Sequence, residues 1–439
     1  MIQNKLRNKL YWFSEILKGN KVGSYLKEIN FLLNNPESNQ SKNIQEKNLN
    51  AVLKHAVNTT PFYNKYKENT SIFDFPVIKK TVIQNNFEDF QSYPFKNKNN
   101  FKVSTSGSTG VPFFLYQDKN KRSRNKADLI HFFKRSNFEV GNRLFNLAIW
   151  KKLNRKSDFA CWAQNITQFD ISKLTDKRIA KLLELIKQDN NSSKSIMGYV
   201  SALETVIQYV EKNKLNLEGF NLKSIITFSE HLSSTTKAKL KSIFKTEVFS
   251  RYSSEEIGIV AHQTINSPDT FIVNHASYYI EVLDLNSDTP VKPGEYGRII
   301  VTDLFNFAMP IIRYDTGDVA KLKILNNGVI AFEEIQGRKL DLLYDTQDNI
   351  ISSHLFYTKV YKYYKLIKQY QFIQHGKKDY EVKLNLQEDS FLFEKELIES
   401  IKNDFGNDAN IRITYVDEIP TLASGKRRKV INNYKKQNN

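Results

Sequence analysis

The sequence predicts an α/β protein, with a large multi-layer N-terminal domain and a small α+β domain behind it. Three observations carry this. Helical and strand patterns alternate through residues 177–254, the order that lays helices on a mostly parallel sheet. From about residue 278 the pattern turns to short strands divided by turn residues, so 278–335 reads as a β-rich subregion of the first domain. Past Gly337–Asp341, about 100 residues carry strands and helices of their own. The division therefore falls at 1–337 and 338–439, and 439 residues suffice for two cores.

Taken in order, residues 3–18 place Leu6, Leu10, Phe13 and Leu17 at helical spacing. Residues 45–57 repeat that spacing until Pro61, which cannot continue a helix. Residues 119–136 read as a basic helix, and "KRIAKLLELIKQ" (177–188) and "SALETVIQYVEKNK" (201–214) as amphipathic ones. "LKSIITFSE" (222–230) is a strand closing in a polar turn. "TTKAKLKSIF" (235–244) is a helix, and "EVFSRYSS" (247–254) is a strand that ends in hydroxyls. "SYYIEVLDL", "GRIIVTDL" and "GVIAFEEI" are strands separated by "VKPGEYG" and "NNG". Strands at 369–373, 380–386 and 411–416 and a helix at 391–404 fill the C-terminal domain.

Hydrophobic residues make up 40% of the chain and aromatics 13%, enough for sizeable cores and against wholesale disorder. No apolar run approaches membrane-spanning length, and the N-terminus lacks a small-residue cleavage site, so no signal peptide is expected. The single cysteine, Cys161, excludes an intramolecular disulfide and a Cys-rich zinc site. The expected location is a reducing cytoplasm. The net charge of +18 fits nucleic acid, an anionic membrane face or acidic substrates. The lysines are spread along the chain with few arginine clusters, so nucleic acid is not the expected partner. Oligomeric state is not legible.

Five polar nodes sit at loop positions. The first is "VSTSGSTGVP" (103–112), in which five of ten residues carry hydroxyls, in a chain of only 16 glycines. It is either a solvated linker or a loop that wraps an anion with N–H and O–H donors. It is not a Walker A loop, because no Gly-Lys-Ser/Thr follows at the required spacing. The others are "TFSEHL" (227–232), "YSSEEIG" (252–258), "RYDTGD" (313–318) and "PTLASGKRRK" (420–429). Loops after strands are where α/β proteins hold ligands. Alone, each has a plainer reading: a surface linker, a solvated carboxylate pair at a helix N-terminus, a tight turn, a basic tail.

Together, in this order, the nodes resemble the adenylate-forming (AMP-binding) superfamily, and within it the phenylacetate–coenzyme A ligase-like branch that includes capsule polysaccharide biosynthesis proteins. The resemblance runs from about residue 45 to the end. It also takes in "LNAVLKHAVNTTPFYNKY" as entry helix, "MGYVSAL" (197–203) and "GRKLD" (337–341) as hinge. It implies an acyl-adenylate-forming fold with a mobile C-terminal domain, and an activity. ATP activates a carboxylic acid as acyl-AMP with loss of pyrophosphate, and the acyl group passes to coenzyme A or to an amine. Mg²⁺ accompanies ATP.

The resemblance also implies roles, residue by residue. Ser104, Thr105, Ser106, Gly107, Ser108, Thr109 and Gly110 form the phosphate loop. Ser229 and Glu230 border the adenine, partly through backbone groups, as does His231. Tyr252 stacks on the adenine, and Glu256 binds Mg²⁺, with Glu255 as the competing carboxylate. Asp318 takes the ribose hydroxyls, Arg313 orients its loop, and Arg338 is the hinge arginine. Lys426 is the catalytic lysine that meets the α-phosphate. Phe113 follows Pro112 where many superfamily members have Lys, and Leu340 stands where the hinge often has Asp. Phe133, Tyr199 and Phe228 either line the acid pocket or are core. Two other readings remain: a nucleotide-binding scaffold without catalysis, and a basic binder of nucleic acid or anionic membrane.

Overall fold

The computed structural model describes the chain apart from Met1 and residues 67–70, 106–112, 151–154, 173, 192, 339–341, 352–355, 357–358, 361, 364–365, 388–389, 421–427 and 435–439. Three helices lead: α1 (Ile2–Leu17), α2 (Lys21–Asn34) and α3 (Asn39–Thr59). The third starts earlier than residue 45 because the Ser38 hydroxyl accepts from Ser41 N at 3.1 Å and caps it. Pro61 stops it, as expected. After β1 (Ile78–Lys79) and α4 (Lys80–Asn85), strands β2 (Phe101–Thr105) and β3 (Phe113–Gln117) pair antiparallel, Thr105 opposite Phe113. The segment joining them, 106–112, lies outside the described residues.

Helix α5 (Lys119–Lys134) follows, capped by the Asp118 carboxylate on Lys121 N at 2.9 Å. Then come β4 (Arg143–Ala148), α6 (Asp158–Gln164), β5 (Ile166–Asp170), α7 (Asp176–Gln188), β6 (Lys194–Tyr199), α8 (Val200–Lys212), β7 (Leu222–Phe228), α9 (Ser234–Phe244) and β8 (Val248–Ser254). Strands β4 to β8 are parallel neighbours, in the order β5-β4-β6-β7-β8. The chain then reverses into β9 (Gly258–Thr264), β10 (Ser267–Val273), β11 (Tyr278–Leu283), β12 (Tyr296–Asp303), β13 (Tyr314–Ile324) and β14 (Ile330–Arg338). These extend the same sheet antiparallel, β8-β9-β10-β14-β13-β12-β11, with β1 on β13. The twelve-stranded sheet thus changes from parallel to antiparallel at β8.

Two cores follow from this layering. One packs α7, α8 and α9 on the parallel strands through residues such as Leu182, Leu203, Ile225 and Leu240. The other fills the antiparallel half and takes in Ala56 and Tyr63 after it leaves α3. A smaller C-terminal domain has its own core around Phe372, Val382, Leu397 and Phe405. It contains β15 (Leu343–Tyr344), β16 (Ile350–Ile351), β17 (Ile367–Gln374), β18 (Asp379–Leu386), α10 (Glu394–Phe405), β19 (Asn410–Tyr415) and β20 (Val430–Asn432). Four of these strands form one sheet in the order β19-β18-β17-β20. The α/β class and the smaller C-terminal domain agree with the sequence reading.

Candidate active site

The parallel strands β6, β7 and β8 all point their C-terminal ends at one edge, where β8 turns back into β9. A reversal of this kind leaves a crevice beyond the strand ends. Glu255 and Glu256 sit on that β8–β9 turn, not at a helix N-terminus. This corrects the plainer reading of the pair. The turn closes on Gly258, whose φ of +113° excludes most side chains. A Cβ there would also lie 2.7 Å from both Asn125 Oδ1 and Tyr278 Oη. Gln117, at the end of β3, donates from Nε2 to the carbonyls of Glu255 (3.3 Å) and Glu256 (3.1 Å). The hairpin that carries the Ser/Gly loop is thereby tied to the turn that carries the carboxylates.

Tyr252 and Asp318, 66 residues apart, meet here: the phenol donates to Asp318 Oδ2 at 2.7 Å. Burial, reinforced by the Asp318 charge, holds the Tyr252 proton far more tightly than in water. Thr316 Oγ1 lies 3.3 Å from the same phenol and accepts from Asp318 N at 3.2 Å. Gly317, at φ +77°, lets the chain turn between them, and its N donates to Asp315 Oδ1 at 2.9 Å. Tyr314 Oη donates to Glu256 Oε1 at 3.3 Å. Glu256 is half-buried and directed into this cluster, whereas Glu255 is exposed.

Arg313 is held rigidly. Its guanidinium makes two bonds to Glu281 (3.0 and 2.9 Å) and one to Phe75 O (2.8 Å), and its backbone is left-handed at φ +49°. Arg298, 2.8 Å from Asp315, locks the other side of the same loop. Arg338 pairs in register with Asp318 across β13 and β14, so the backbone sets the two residues directly opposite each other.

Ser229 has φ +67°, a conformation a serine rarely holds, at the turn after β7. The Glu230 carboxylate accepts from Ser201 N (2.7 Å) and Ser201 Oγ (3.0 Å). It caps the N-terminus of α8, so what Glu230 offers a neighbouring ligand is its backbone. His231 Nδ1 lies 3.2 Å from Ile335 O and ties this loop to β14. Ser104 and Thr105 end β2, whereas Ser106, Gly107, Ser108, Thr109, Gly110 and Lys426 lie outside the described residues. Just past the lysine loop, Lys429 Nζ contacts Glu204 Oε2 on α8 at 2.5 Å.

One residue escaped the sequence reading. Arg251, the neighbour of Tyr252 on β8, points to the opposite face. Its guanidinium lies 4.9 Å from the Phe228 ring and 5.9 Å from Phe133, with Nη1 3.8 Å from Met197 Sδ. Tyr199 packs edge-on to Phe228 at 4.9 Å. Two of the three aromatics read as pocket or core, Phe228 and Phe133, therefore flank a cation, and Tyr199 packs on Phe228. Its Nε is buried with no hydrogen-bond partner among the described residues. Burial pulls the guanidinium down to about 10, against the opposing charge of Glu255. An arginine before a motif tyrosine has no signature in sequence; only the burial and the ring contacts expose it.

No group of three or more His, Cys, Asp or Glu among the described residues could hold a metal by itself. One carboxylate, Glu256, on a tight turn suits Mg²⁺, which takes one or two protein carboxylates together with phosphate oxygens.

The profile of the CapK C-terminal domain family matches residues 343–433. Protein CapK of Staphylococcus aureus is 23% identical over 376 residues, covering 83% of this chain and 81% of that one. The phenylacetate–coenzyme A ligase of Aromatoleum evansii is 26% identical over 282 residues, 60% of this chain and 62% of its own. Among solved structures, 2-hydroxyisobutyryl-CoA ligase with 2-HIB-AMP in the postadenylation state superposes with a TM-score of 0.72 at 17% identity, covering 90% of each chain. The same ligase in the thioesterification state gives 0.58 at 18% identity, again over 90% of each.

Proposed function

We propose that this chain, homologous to CapK and to the phenylacetate–coenzyme A ligases, is an adenylate-forming enzyme that activates a carboxylic acid with ATP and passes the acyl group to a thiol or an amine. The observation that carries this is the meeting of Tyr252, Asp318, Tyr314 and Glu256 at the strand reversal, with the Ser/Gly hairpin tied to the same turn by Gln117.

In the proposed reaction a carboxylate oxygen of the acid attacks the α-phosphorus of ATP. A new O–P bond forms, the bond to the bridging oxygen breaks, and pyrophosphate leaves with that electron pair. Asp318 accepts from the ribose hydroxyls, and the Tyr252 bond fixes its orientation beforehand. Ser104 to Gly110 donate to the phosphates. Glu256 would hold Mg²⁺, which would supply charge neutralisation at the phosphate oxygens. Lys426 brings an ammonium to the α-phosphate. The acceptor is coenzyme A or an amine, in the second case within surface-polysaccharide synthesis, as the motif resemblance to capsule polysaccharide biosynthesis proteins suggests.

Arg251 narrows the acid. The Arg251 guanidinium beside Phe228 and Phe133 keeps a buried Nε without a hydrogen bond among the described residues, and burying part of such a charge is costly unless a partner arrives. The reading favours an acid with an apolar body and a second acceptor or anionic group. The test is pyrophosphate release over mono-, di- and hydroxycarboxylic acids, each with and without coenzyme A and with amine acceptors. Release with no acid sinks the ligase reading; release with plain monocarboxylic acids alone sinks only the role of Arg251.

A further inference from the structure

Helix α1 turns its polar side to the protein and its apolar side outward. Asn4 exchanges hydrogen bonds with Asn191 at 2.7 and 2.8 Å, Asn8 donates to Val140 O at 2.9 Å, and Glu15 is buried. On the far side Ile2, Leu6, Leu10, Phe13, Ile16 and Leu17 are 54–84% exposed. At 3.6 residues per turn these six fall within an arc of roughly 120°, opposite the buried side chains. Scattered exposed apolar residues need no explanation, but a contiguous apolar stripe does.

A second exposed element lies beside it. Phe159 and Trp162 on α6 are 75% and 66% exposed and pack together at 5.9 Å. The Arg7 guanidinium of α1 reaches the Trp162 ring at 5.9 Å, joining the two elements. The exposed charge of α1 along the stripe has one sign. Lys5 and Lys9 are exposed within or beside it. The only carboxylate of α1, Glu15, is on the buried side, 3.8 Å from Lys18. Asp158 is the acidic residue exposed on α6.

We propose that α1, with Phe159 and Trp162 at its flank, is a docking surface for an anionic lipid membrane, on which the helix lies in the interfacial plane. The charge selects this occupant. A second copy packed on the same face would set Lys5 and Lys9 against their own counterparts in a chain of net charge +18, whereas an anionic surface complements them. An apolar arc bordered by lysines, with aromatics at hand, has the composition of an interfacial helix. None of the described helices is long and apolar enough to cross a membrane, so the contact is peripheral. The inference does not depend on the ligase reading.

The test is flotation of the full chain with phosphatidylcholine vesicles, with and without phosphatidylglycerol, at low and high salt. The wild type should float with the phosphatidylglycerol vesicles, and high salt should weaken that binding. Leu10→Glu/Phe13→Glu should bind roughly tenfold more weakly or worse, and Lys5→Glu/Lys9→Glu should lose the preference for anionic lipid. These side chains are exposed, so thermal melting should stay that of the wild type. Absence of flotation, or flotation indifferent to Leu10→Glu/Phe13→Glu, overturns the proposal. So does a wild-type dimer in sedimentation velocity that this variant dissolves, which would give the face to a second copy.

Discussion

Glu256 and Glu255 are adjacent carboxylates with different surroundings, and those surroundings separate their roles. Glu256 meets the Tyr314 phenol at 3.3 Å, while Glu255 is exposed. Glu256→Gln should cut Mg²⁺-dependent adenylation by about 10²-fold or more, the usual loss for an electrostatic partner of a transition state. Glu255→Gln should change it little, and pyrophosphate-release rates of the two variants check the assignment. Arg251→Met should remove the preference for acids with a second polar group while monocarboxylic acids retain or gain turnover. An equal fall with all acids would make Arg251 a packing residue. The sequence named Tyr252, Glu256 and Asp318 because their motifs are local. It could not show the 2.7 Å bond between Tyr252 and Asp318, which depends on the order of strands. Nor could it show that the Glu230 side chain is spent on capping α8.

At the scale of elements, α5 joins the N-terminal helices to the sheet through buried charge. Lys121 and Asp303 are fully buried at 2.7 Å, and Arg124 reaches Glu28 at 2.7 Å. Lys121→Met leaves Asp303 without its cation and should cost about 3–5 kcal/mol of stability, read by denaturant unfolding. Asp118 caps this helix and also accepts from Phe307 N at 2.8 Å. Helices with a clear apolar period, α7 and α8, were legible to within a residue or two. The short strands β4 and β5 were not, because six or fewer mixed residues carry little period. For α1 the period was legible but its direction was not. A stripe at helical spacing gives no sign of whether it meets a core or faces out, and here six residues face out.

For the whole molecule, two buried histidines set an acid limit. His131 and His262 are pulled down to about 3, first by burial and, for His131, also by Arg135. Below about 6.5 the unfolded chain binds protons that the folded one refuses, so stability falls with pH until about 3. Melting followed from neutral pH downward should show this loss, and His262→Asn should reduce it.

The division at 337/338 remains our proposal. Strand β14 carries the large sheet to Arg338, and the separate core begins at Leu343. We propose that the segment between them is a hinge. Lys426→Ala should then abolish acid-dependent pyrophosphate exchange yet still consume a supplied acyl-adenylate.

Acid-dependent exchange of labelled pyrophosphate into ATP tests the central claim most directly, because it reports the acyl-adenylate whatever the acceptor. With Mg²⁺ and an acid drawn from the mono-, di- and hydroxycarboxylic panel, the wild type should exchange label, and Glu256→Gln and Asp318→Ala should lose it while remaining folded. Exchange that needs no acid, or that survives both substitutions at the wild-type rate, would contradict the account.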